Sequence, residues 1–115
     1  MIDTISAILE ALESDIVSNG FLVQLIRNAE GDMPPSQERI RQVLIMLLSK
    51  GCVEIGNARI AGPDYVEFIA WNGNCHDRIT RAMNAVSTTN DNEKEFAFWL
   101  CMRKNIDRFE GGGLS

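Results

Sequence analysis

The chain has 115 residues, 45% apolar and 23% charged, with a net charge of −5. That length can bury one hydrophobic core without metals or disulfides, and the apolar content excludes disorder as the whole answer. No run of about 18 apolar residues occurs, which excludes a transmembrane helix, and residues 1–6 lack the basic-then-apolar pattern of a secretory signal, so a cytoplasmic protein is expected.

Asp3 is placed to cap a first helix from about Thr4 to Val17, with Ile5, Ile8, Leu9, Leu12 and Ile16 on one face. Ser18-Asn19-Gly20 is expected to end it, with Gly20 at positive φ. Phe21 to Ala29 reads as a short helix through Leu22, Leu25 and Ile26, with a strand as the competing reading. Gly31-Asp32-Met33-Pro34-Pro35 is a firm break. Ser36 then caps the clearest helix, which runs to about Lys50. Ile40, Val43, Leu44 and Leu47 form its core face, Ile45, Met46 and Leu48 widen it, and Gly51 stops it.

Cys52-Val53-Glu54-Ile55 alternates apolar and polar residues. After a turn-rich stretch, Tyr65 to Trp71 is rich in β-branched and aromatic residues, so the two runs predict a hairpin. A helix over 64–71 is the competing reading. A helix from about Cys75 to Val86 places Ile79, Ala82, Met83 and Val86 on one face. Ser87 to Asn90 reads as a polar linker. A last helix is expected from Asp91 to about Phe109, with Asp91, Glu93 and Glu95 at its start and Arg103, Lys104 and Arg108 near its end. The expected fold is therefore mainly α (α+β): helices with a β-hairpin, followed by two C-terminal helices. One domain spans 1–110, and 111–115 is a Gly-rich flexible tail.

The order helix, helix, turn, helix, hairpin over residues 4–71 resembles a winged-helix domain. The words that carry the resemblance are SQERIRQVLIMLLSKGCVEIG, a long helix ending in Lys50-Gly51 before a strand at Val53-Glu54-Ile55. The resemblance implies a winged-helix-like part (4–71) and a helical part (75–109). It also implies a DNA-binding transcription regulator in which the third helix enters the major groove. Arg39, Arg41 and Lys50 would then face the DNA beside Gln37, Glu38 and Gln42, and Arg59 would sit in the wing. Residues 36–50 carry only +2, so the charge disfavours nucleic acid. Winged helices also serve as protein-binding modules, which need no basic surface.

Little in the chain points to catalysis. Cys52, Cys75 and Cys101 are widely spaced with no CxxC pair, which predicts reduced thiols. Cys75-His76 lacks further zinc ligands at short spacing. Neighbours on a helix diverge, so Cys75 and His76 do not make a thiol–imidazole pair. No phosphate-loop, nucleophile-elbow or zinc-protease motif is present. The expectation is no enzyme, no catalytic residues, no metal and no cofactor.

Two features point to a protein partner or self-association. The run Phe96-Ala97-Phe98-Trp99-Leu100-Cys101-Met102 would cover every side of a helix. One side would pack on the domain and the other would need a second cover: either the helix is threaded between the winged part and residues 75–86 of the same chain, or Phe96, Phe98, Trp99 and Met102 form an apolar interface to a partner or a second copy. The first 35 residues hold the whole net charge, with Glu10, Glu13, Asp15, Glu30 and Asp32 as a candidate acidic surface. In size and charge the chain is similar to acidic inhibitors, including immunity proteins of bacterial competition systems, that neutralise basic partners. The sequence therefore predicts a non-enzymatic protein-binding module of this type, with the DNA-binding regulator as alternative and no membrane partner.

Overall fold

Each helix begins where a side chain satisfies amides that the first turn leaves free. In this computed structural model, which describes residues 3–31, 33–62, 65–88 and 97–108, the Asp3 carboxylate accepts from the Ser6 amide at 3.2 Å and starts α1 (Thr4–Ser14). The Ser18 hydroxyl accepts from Phe21 at 3.2 Å and starts α2 (Asn19–Glu30). Ser36 accepts from Arg39 at 3.1 Å and starts α3 (Gln37–Ser49). The Asn74 side chain accepts from Asp77 at 2.8 Å and starts α4 (Cys75–Thr88).

The caps at Asp3 and Ser36 are as the sequence predicts, and so is the stop at Gly51, which has φ +79°. Ser18-Asn19-Gly20 behaves differently from expectation. Helix α1 ends at Ser14, the chain extends through Asp15 and Ile16, and Val17–Ser18 forms a short strand, β1. Those residues open α2, and Gly20 is helical; positive φ occurs at Gly31, Gly51 and Gly73. The Ser18 cap outweighs the break because a satisfied amide lets the next helix nucleate there.

A hairpin forms from strands β2 (Val53–Gly62) and β3 (Tyr65–Ala70), so the competing helix over 64–71 does not, but the pairing differs from expectation: β3 pairs with residues 56–62, the stretch expected to turn, while Val53–Gly56 pairs with Trp99–Met102. The expected helix over 91–109 is corrected. Its residues 91–96 and Phe109 lie outside the described set, but Trp99–Met102 is a strand, β4, followed by a 3-10 helix, Arg103–Arg108. Four α-helices and a four-stranded antiparallel sheet among the described residues make this a mixed α+β fold.

The sheet order is β1-β4-β2-β3. Strand β4 sits between β1 and β2, pairing Leu100 with Val17 on one side and with Ile55 on the other. This placement is why its sequence is continuously apolar: a strand covered on both faces needs apolar residues at every position. Leu100 and Met102 join the main core, which also takes Ile8 and Leu12 of α1, Leu22 and Ile26 of α2, Leu44 and Leu47 of α3, and Ile79 and Ala82 of α4. Cys101 joins Ile16 and Phe68 in a smaller cluster, with Trp99, Ala58, Val66 and Ile106 packed around it. Each fully buried side chain of this size contributes about 1.5–3 kcal/mol.

Gly56 is where β2 serves both neighbours, opposite Trp99 of β4 and Ala70 of β3. A Cβ there would lie 2.0 Å from the Ile69 carbonyl oxygen, so the close strand approach requires glycine. Beyond Gly56, β2 pairs only with β3 among the described residues.

Candidate functional site

Helices α1 and α3 leave an open groove between them, about 470 Å³ in volume. Its apolar lining comes from Ile5 and Leu9 of α1 and from Ile45 and Met46 of α3, with Asp3 and Lys50 among its polar residues. Ile5 and Leu9 are on the core face of α1, and the groove exposes the outer margin of that face. Met46, which the sequence assigns to the core, is 47% exposed. The reason is angular: the central stripe Ile40, Val43, Leu44 and Leu47 already fills the contact, and Met46 falls outside its arc. A second, more polar hollow of about 290 Å³ lies between α3 and α4, lined by Gln37, Glu38, Arg41, Thr80, Met83 and Asn84.

The candidate acidic residues do not form one free surface. Glu10 and Asp15 are exposed, and Asp15 accepts the Ile16 amide at 2.8 Å. Glu13 receives Lys104 Nζ at 2.6 Å, tying the end of α1 to the 3-10 helix. Beside it, Asn105 donates to the carbonyls of Leu12 and Glu13 at 3.2 and 3.3 Å. Glu30 accepts Arg39 Nε at 3.0 Å and Thr4 Oγ1 at 2.7 Å. The bonds from Arg39 and then Thr4 hold its carboxyl below the ordinary value of 4.5, and Glu30 in turn holds the Arg39 guanidinium above its usual value. Asp32 lies outside the described residues.

The candidate DNA-facing residues divide in the same way. Arg39 is turned back onto Glu30, and Arg59 is paired across the hairpin with Glu67. Arg41 is exposed, with a loose 3.8 Å contact to Glu38 one turn earlier, and Lys50 is exposed at the end of α3. Internal carboxylates thus neutralise two of the four cations.

The candidate apolar interface is largely absorbed by the chain itself. Phe98 is 0% and Met102 5% exposed, both in the main core, and Trp99 is half-buried against the smaller cluster. Phe96 lies outside the described residues. The second cover that the apolar run demands comes from the two faces of the sheet. Of the two residues weighed for catalysis, His76 is exposed and Cys75 half-buried at the start of α4. Among the described residues, no three His, Cys, Asp or Glu side chains group so as to hold a metal ion.

Sequence reasoning missed a polar cluster that joins three elements. Glu54 on β2 is buried, and its carboxylate accepts Arg78 Nη1 of α4 at 2.8 Å and Arg103 Nε at 2.8 Å. Arg78 is 24 residues from Glu54 and Arg103 is 49, so no local spacing announces the contact. The one available signal was an acid inside an apolar strand, which burial forces to find cations. Nearby in sequence, Arg81 lies over the ring of Trp71, 4.2 Å from its centroid.

The chain matches no protein family, and neither curated proteins nor solved structures contain a match to it. No helix among the described residues is long and apolar enough to cross a membrane.

Proposed function

We propose that the protein is a non-enzymatic protein-binding module on a winged-helix-like frame, taking a partner segment with apolar anchors and basic flanks. The frame reading draws on the order α1, β1, α2, α3, β2, β3 and on a hairpin that continues past the rest of the sheet. Strand β4, set between β1 and β2, is an addition to that frame. The binding reading is carried by one observation: the α1–α3 groove, with Ile5, Leu9, Ile45 and Met46 along it and Asp3 at its edge. The exposed Met46 thioether, beside half-buried Leu9 and Ile45, adapts to apolar anchors. Glu10, next to Leu9, has no ion-pair partner among the described residues and supplies charge complementarity to a basic flank. The narrower reading, a cytoplasmic immunity-type inhibitor of a basic protein, rests on Glu10 and Asp15, since Glu13 and Glu30 already hold cations.

The test is affinity capture from the native host with wild type, Met46→Glu and Glu10→Lys. The expected result is a stoichiometric protein that Met46→Glu loses and that Glu10→Lys binds more slowly, most at low salt. No stoichiometric protein, or equal retention by both variants, overturns the proposal. A second reading, DNA binding through α3, is favoured by the exposure of Arg41 and Lys50. It requires a salt-sensitive gel shift at micromolar protein that Arg41→Ala weakens.

A further inference from the structure

Strand β3 is the last strand of the sheet, paired only by β2 among the described residues. Strand alternation decides which of its main-chain groups face outward. Trp71 donates its amide to the Ile55 carbonyl at 2.9 Å, so the main-chain groups of Ile69 and Glu67 also turn toward β2. Those of Val66, Phe68 and Ala70 point away from it. The other side of β2 agrees: Arg103 donates to the Cys52 carbonyl at 2.7 Å, so even-numbered residues of β2 face β4 and odd-numbered ones face β3.

This edge lacks the usual defences of an exposed strand. Tyr65–Ala70 contains no Lys, Arg or Pro. Its only charge, Glu67, is drawn to Arg59 across the ladder but remains a carboxylate on the strand. Ile69 is 45% exposed. The single irregularity of register lies at the far end of the hairpin, between Ile60 and Gly62.

We propose that two copies of the chain associate through this edge, with β3 pairing antiparallel to the partner's β3 about a two-fold axis at Phe68. A row of amides and carbonyls without partners among the described residues calls for an extended strand, and a second β3 answers it in kind. Two central registers keep matching side-chain faces together. Centred on Phe68, the bonding residues Val66, Phe68 and Ala70 meet the partner's Ala70, the partner's Phe68 and the partner's Val66. Ile69 then lies opposite the partner's Glu67. Centred on Glu67, only Val66 and Phe68 of β3 find bonding partners, and Glu67 stacks on the partner's Glu67. The first register makes more hydrogen bonds and avoids the like charges.

The paired edge is about 20 Å long, short of a standard interface, so the dimer is weak and concentration-dependent. Sedimentation velocity up to about 1 mM protein reads it directly. Ile69→Glu sets a carboxylate against the partner's Glu67 and is expected to raise the dimer Kd about tenfold or more. Ile69→Lys meets the same Glu67 with opposite charge and retains the dimer. Ala70→Pro removes an outward amide without touching the ladder to β2, and also weakens association. Thermal unfolding in dilute solution checks that each variant folds, as expected for substitutions at exposed positions. A wild-type chain that stays monomeric overturns the proposal, as does an equal response to Ile69→Glu and Ile69→Lys.

Discussion

Replacing Glu54 by Gln tests how the C-terminal third is fastened to the sheet. The substitution keeps the shape and removes the charge. Arg78, 15% exposed at its side chain, is left without its counter-charge and cannot recover full hydration. Arg103, 61% exposed, swings into solvent at little cost. A fully buried pair broken on one side costs about 3–5 kcal/mol, and an exposed pair about 0–1. The Glu54 cluster lies between these limits and is dominated by Arg78, so the expected loss is about 2–3 kcal/mol. For a chain of this length that lowers Tm by about 8–12 °C. Urea unfolding of wild type, Glu54→Gln, Arg78→Met, Arg103→Met and the double variants gives the coupling energies. Coupling of Glu54 to Arg78 should exceed that to Arg103, and should persist in salt because the pair is shielded. A Glu54→Gln chain within about 0.5 kcal/mol of wild type refutes the reasoning.

Gly56→Ala drives a Cβ into the Ile69 carbonyl, against backbone that cannot rotate away. It should cost about 3 kcal/mol or prevent folding, read by circular dichroism and denaturant midpoint. Glu30→Gln probes the tie between α1, α2 and α3. Its carboxyl titrates lower in the folded chain than in the unfolded chain, so the unfolded state binds more protons across that interval. The stabilisation is therefore fully present above pH 4.5 and is lost as pH falls through the lower folded value. The difference from wild type should be about 0.5–1 kcal/mol at neutral pH and vanish in acid, measured by denaturant unfolding across a pH series. A difference that grows in acid contradicts the assignment.

The sequence was most informative where a local rule and the tertiary packing agree. Asp3 and Ser36 cap helices because a capping bond spans only three residues. Gly51 stops α3 because few other residues adopt its φ. The stripe Ile40, Val43, Leu44 and Leu47 announces a buried helix face, and the β-rich run over 65–70 announces one strand of the hairpin, but its partner is the stretch 56–62 that the sequence reads as turn-rich. Among candidate site residues, exposure of Glu10, Asp15, Arg41 and Lys50 was legible, since charged side chains seek water.

What the sequence could not decide was where groups far apart in the chain meet. Phe98 to Met102 reads as a helix in isolation, because a continuous apolar run carries no period. It is a strand because β1 and β2 leave a gap that only an extended segment fills with paired amides on both sides. The same holds for charge. Glu13, Glu30, Arg39 and Arg59 look like free surface until the fold sets Lys104, Arg39, Glu30 and Glu67 against them. Local chemistry thus determined where helices start, stop and bury a face. Sheet order, ion pairing and the composition of the exposed surface came only from tertiary structure, because each depends on contacts whose sequence separation no short motif encodes.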